Sequence, residues 1–185
     1  MNRPIIPALL SVLAFVCGTA VAAGKAHEHG ALKLDVAIEG NKLTIGMEAP
    51  LDNLLGFERA PRTDAERKAA ADVLARLRSP DKGTPLFATD AAAKCSLSKA
   101  EVRAPALEAA PATPAAAKGK AKDEHADLDA SYEFNCAQAS ELRSLDLGLF
   151  DAYKRIQRID VQVAGPKGQS KVTLKRPART VKLVR

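Results

Sequence analysis

The sequence predicts an α+β domain: a mainly antiparallel β-sheet with two or three short helices on one face and a disordered Ala/Pro/Lys loop. Three observations predict it. Short runs alternate apolar and polar residues between Gly, Asn and Pro, as strands with one buried face require. The stretch from Thr63 to Arg78 has helical apolar spacing behind a capping signal. Residues 104–124 turn to Ala, Pro and Lys, a composition that buries too little apolar surface to offset ordering. A length of 185 residues suits one domain with such an insert.

The elements follow in chain order. Met1-Asn2-Arg3, the apolar run from Ile5 to Val16 and the small residues Ala20 to Gly24 have the form of a secretory signal peptide, expected over residues 1–23. Cys17 follows Val16, whereas lipid attachment favours a small residue before the cysteine. The product is therefore read as exported and soluble. Residues 24–103 should form the first half of the domain, 104–124 a linker loop, and 125–185 the second half.

Leu32, Leu34, Val36 and Ile38 alternate with Lys33, Asp35 and Ala37, giving a first strand. Gly40-Asn41 turns it into Leu43 to Glu48 as a hairpin, and Pro50 ends that strand. Leu51 to Phe57 reads as one helical turn. Thr63-Asp64-Ala65-Glu66 is a capping box. Its helix should run to about Arg78 with Ala65, Ala69, Ala70, Val73, Leu74 and Leu77 on one side. Leu86-Phe87 and residues 93–102 read as extended. After the linker, residues 125–134 form another strand. Ser140-Glu141 is expected to cap a short helix through Leu142, Leu145, Leu147 and Phe150. Ile159 to Val163 and Lys171 to Leu174 make a hairpin about Gly165 to Gly168, and Thr180 to Val184 an edge strand.

Export leaves Cys95 and Cys136 as a pair. They read as a disulfide, which suits an oxidising compartment, or as two thiolate metal ligands. Closing a loop of this length is worth roughly 4 kcal/mol in the chain-entropy model.

Formal net charge is +6, and removal of Arg3 leaves about +5. The excess gathers at the end, in Lys154, Arg155, Arg158, Lys167, Lys171, Lys175, Arg176, Arg179, Lys182 and Arg185. This is either a solvated sheet face or a surface for an anionic partner, and the former is the simpler reading. Aromatic residues are only 4% of the chain and none is Trp, so the stacking side chains of a nucleic-acid platform are lacking and no nucleic acid is expected. No Gly-rich phosphate loop, nucleophile elbow or Cys–His pair is present, so an enzyme is not expected.

The histidines carry the functional signal. His27 and His29 lie two residues apart and share one face of extended chain. Aligning His29 with His125 also matches Leu32 with Leu128, Leu34 with Ala130, Val36 with Tyr132 and Ile38 with Phe134. All three histidines of the chain thus stand at the polar entrances of two look-alike strands. The expectation is that these strands lie side by side in parallel and bring the three rings together.

These residues also carry a resemblance. His27-Glu28-His29-Gly30-Ala31, Glu48-Ala49-Pro50, Asn53-Leu54 and Gly56-Phe57-Glu58 resemble the start of the ZrgA-like periplasmic proteins of Gram-negative bacteria, associated with zinc acquisition. The second half is similar too, with a cysteine, a variable insert, the run from His125 to Cys136, Leu149-Phe150 and Ile159 to Gln162. The resemblance implies zinc binding in the periplasm, with a zinc ABC importer component as partner. Two departures narrow it: the insert has no His, and Arg59 stands where family members often carry histidine.

Zinc takes four N, S or O donors, and neutral imidazole suits it. The candidate metal ligands are His27, His29, His125 and Asp127, with Glu124 or Asp129 as other oxygen donors. Glu28 has the wrong strand parity. Two alternatives stand beside this one. Cleavage after Gly24 would leave Lys25-Ala26-His27 as a square-planar nitrogen site for Cu(II) or Ni(II). A metal-free module would dock through the basic C-terminal hairpin onto an acidic surface.

Overall fold

The computed structural model describes residues 28–108 and 126–183. The expected signal peptide, His27, His125 and most of the expected linker lie outside these residues. Strand β1 (Ala31–Glu39) turns at Gly40-Asn41 into β2 (Lys42–Pro50), and the two pair antiparallel from Lys33↔Glu48 to Glu39↔Lys42. Alternation decides the faces: Leu32, Leu34, Val36 and Ile38, with Leu43, Ile45, Met47 and Ala49, are all buried. The later strand Asp127–Cys136 (β5 in chain order) pairs antiparallel with the other side of β2.

This corrects the expected placement of the look-alike strands. β1 and β5 run in the same direction, but β2 lies between them. Alternation fixes which side chains a strand buries and leaves its neighbour open, and the short hairpin takes β2 as neighbour first. The alignment itself matches the register. Leu34, Met47 and Ala130 are level, as are Val36, Ile45 and Tyr132, and Ile38, Leu43 and Phe134.

Beyond β5 lies β4 (Cys95–Arg103), and on the other side of β1 lie β7 (Arg158–Gly165) and β8 (Gly168–Lys175). The sheet order is β4-β5-β2-β1-β7-β8, with β1 and β7 parallel and the other pairs antiparallel. Cys95 and Cys136 sit opposite each other on β4 and β5 and are joined by a disulfide, which removes the reading of two free thiolate ligands.

A second sheet, unforeseen in the sequence, has the order β3-β6-β9: Phe87–Thr89, Ser144–Leu147 and Thr180–Lys182. The helix expected from Ser140 to Phe150 is instead a 3-10 turn (Ala139–Glu141), strand β6 and a single turn of helix, α4 (Leu149–Ala152). Asp90 accounts for the difference. Its carboxylate accepts hydrogen bonds from the Arg143 and Ser144 amides (2.6 and 2.7 Å) and the Ser144 hydroxyl (2.9 Å), holding the chain extended. Strand β9, expected as an edge of the main sheet, pairs with β6.

Helix α1 is the short Leu51–Leu55, and α2 is Asp64–Arg78 with the capping box formed by Thr63 and Glu66. Ala70, Leu74 and Leu77 of α2 are buried, while Ala65 and Ala69, expected on the same side, are exposed. Ala104 is buried and Pro105–Glu108 form one turn, α3, so ordered structure runs past the expected start of the linker. The buried face of the large sheet meets Phe87, Leu145, Leu147, Val181 and the apolar side of α2 in one core.

Two stability predictions follow from the packing. A Cβ added at Gly148 would run into the Pro85 carbonyl oxygen, so Gly148→Ala should lower unfolding stability by about 1–3 kcal/mol in urea titrations. The disulfide spans 41 positions in sequence, so Cys95→Ser with Cys136→Ser should cost about 2–4 kcal/mol in the same assay.

Candidate metal site

The site lies where β2 ends and both β1 and β5 begin. Pro50 sits opposite Asp127 at the start of β5, and the chain then folds over the sheet end as α1. This helix ties the two entrances together. On one side the Leu51 amide donates to the Ala126 carbonyl (2.9 Å). On the other, the Asn53 side chain accepts from the Gly30 amide and donates to the Ala31 carbonyl, both at 2.6 Å. Asn53 is only 1% exposed, so these two bonds supply the partners that burial demands of its amide.

Gly56 ends α1 in the left-handed region (φ 84°), with its amide bonded to the Asp52 carbonyl at 2.9 Å. The turn sends Phe57-Glu58 back toward β1, where Glu58 Oε1 lies 2.9 Å from His29 Nε2. The His29 side chain is 61% exposed and that of Glu58 16%, so the pair has one open side.

Arginines hold this end of the sheet. Arg155 chelates both carboxylate oxygens of Asp52 through Nη2 (2.9 Å each), and its Nε donates to the Asp52 carbonyl (2.8 Å). Arg158 holds Glu28 through two bonds of 3.1 and 2.8 Å and keeps that carboxyl below its ordinary range. Glu28 is thus paired with Arg158. Hydrogen bonding from Thr173, with Arg158 adding to it, likewise depresses Asp160.

Arg59 has a structural task. Its guanidinium makes bonds of 2.9 and 2.7 Å to the two Glu66 oxygens and lies over the Phe57 ring at 5.0 Å. This fastens the segment after Glu58 to the start of α2. The Arg59 bonds, with those Glu66 accepts from the Arg62 and Thr63 amides, lower the Glu66 pKa to about 2.

Of the candidate ligands, His29 is at the turn before β1 and Asp127 opens β5, half-buried. Asp129 lies further along β5, exposed, opposite Arg103 and Glu48. His27, His125 and Glu124 lie outside the described residues. Among the described residues no group of three His, Cys, Asp or Glu side chains is gathered as a metal cage. The residue that sequence reasoning missed is Glu58. Gly56 after Leu54-Leu55 was the available signal, since a glycine there caps a helix and reverses the chain.

An imidazole and a carboxylate in contact are a nitrogen and an oxygen donor of the kind zinc takes. A carboxylate in this position either binds the ion or orients the ligating ring. The molecule is thus an α+β protein with an imidazole–carboxylate pair at one end of its larger sheet. The family model described as ZrgA family zinc uptake protein matches residues 26–183, and the chain belongs to that family and has a role in zinc uptake. No curated protein matches it. No helix among the described residues is long and apolar enough to cross a membrane.

The Glu66 linkage has a definite sign. Its folded pKa is depressed from the ordinary 4.5 to about 2, so its contribution is present above 4.5 and is lost as pH falls toward 2. Urea midpoints measured down this range should fall less steeply in Glu66→Gln than in the wild type.

Proposed function

We propose that this chain is an exported, periplasmic zinc-binding protein that buffers zinc and passes it to a zinc importer. The ion is held by His27, His29 and His125, with Asp127 and Glu58 as carboxylate partners. One observation carries the reading: the entrances of β1 and β5 lie level at the same end of the sheet, bridged by α1, with His29 against Glu58. Level positions two strands apart in a sheet are separated by about 9.5 Å. His125 immediately precedes Ala126, whose carbonyl is bonded to α1. The signal-peptide form of residues 1–23 supports export.

In this reading Glu58 joins Asp127 as an oxygen donor. It contacts the His29 ring from the α1 side, while Asp127 stands on the β5 side.

Calorimetric titration of the metal-free protein with zinc tests this. Binding of micromolar strength or better should disappear when His27, His29 and His125 are all changed to Ala. Glu58→Gln should weaken it by about 10–100-fold. Because neutral imidazole is the ligand and protons compete for it, affinity should drop steeply below about pH 6. Undiminished binding in the triple variant would overturn the assignment.

A further inference from the structure

We propose that the free edge of β8 is a docking strand for an extended acidic segment of a partner protein, added to the large sheet beside Lys171 and Lys175. The inference does not rest on the zinc reading.

The two edges of the large sheet differ. The β4 edge is broken by a register shift between Leu97 and Lys99, and Lys99 is paired with Glu101 at 3.0 Å. A bulge and a neutralised charge are ways of blunting an edge. The β8 edge has neither. Its eight residues pair with β7 without a break, from Gly165↔Gly168 to Arg158↔Lys175, and among the described residues no strand lies on its other side. The second sheet's outer strands are three residues each, too short to offer the same row of backbone groups.

The charges select the occupant. Lys171, Thr173 and Lys175 share the open face of the sheet and are exposed. Among the described residues neither lysine has an ion-pair partner. Their cross-strand neighbours are Gln162 and Arg158, and the carboxylates within electrostatic reach, Asp160 and Glu28, are bound to Arg158 and Thr173. Lys167 adds a further exposed cation in the turn. Two β8 edges meeting would set lysine beside lysine, so a second copy is disfavoured. A strand with carboxylates four residues apart would place one against each lysine, about 13 Å from the other, while its backbone continues the ladder.

Fluorescence anisotropy on the metal-free full chain tests this with three labelled peptides. The first is Ser-Glu-Val-Thr-Val-Glu-Ser. The second replaces both valines by proline, keeping the charge and removing two N–H donors, and the third replaces both glutamates by lysine. The first should bind and the other two should not. K171E/K175E, which changes only exposed side chains, should weaken the first peptide by at least about tenfold. Amide exchange along residues 168–175 should slow when it binds. Equal binding of the proline peptide would show attraction without strand addition and overturn the proposal. So would an unchanged affinity in K171E/K175E, failure of the first peptide to bind, or self-association through β8.

Discussion

The antiparallel ladder on both sides of β2 is the constraint on which the rest of the molecule depends. It sets β1 and β5 parallel and level, so that the rows Leu34–Met47–Ala130 and Val36–Ile45–Tyr132 cross the sheet as continuous apolar bands. Because residues along a strand alternate faces, a slip of one position would turn an entire set of these side chains outward. Each buried aliphatic side chain in the bands is worth about 1.5–3 kcal/mol relative to exposure, so the register is strongly specified. The polar entrances of β1 and β5 are therefore brought to the same sheet end by packing in its middle.

What happens at that end is decided by a few polar side chains. Asn53 joins α1 to β1, the Leu51 amide joins it to β5, and Arg155 ties Asp52 to the segment before β7. Gly56 and the Arg59–Glu66 pair then fix the path of Phe57-Glu58 on both sides. These contacts form one chain from the core to the His29–Glu58 pair. Under the proposed zinc reading, a pair supported in this way would need little rearrangement to meet the ion, which would lower the ordering cost of binding.

The basic excess of the C-terminal part is distributed rather than pooled. Arg155, Arg158 and Arg179 are each held by acidic side chains, and Arg176 by the carbonyls of Phe150, Tyr153 and Ile156 with its guanidinium over the Phe150 ring. These arginines are chiefly structural, as a planar guanidinium with several donors favours. Lysines 171 and 175 are the contrast: they lie on an edge and lack such partners among the described residues. The sequence alone presents all of these residues as one run of like charge.

The sequence by itself determined the local features. The α+β class, the β1–β2 hairpin, the capping box of α2, the helical turn after Pro50 and the matching of β1 with β5 all follow from near-neighbour chemistry: alternation, caps and turn residues. Cys95 and Cys136 are the two cysteines outside the expected signal peptide, and their disulfide matches the first of the two readings of that pair. Only the tertiary structure decided the rest. It put β2 between the look-alike strands, set β7 parallel to β1, made Ser144–Leu147 a strand through Asp90, and brought Glu58 to His29. Each of these joins residues far apart in the chain. Periodicity states which face a side chain buries, and it carries no information on the distant neighbour that completes that burial.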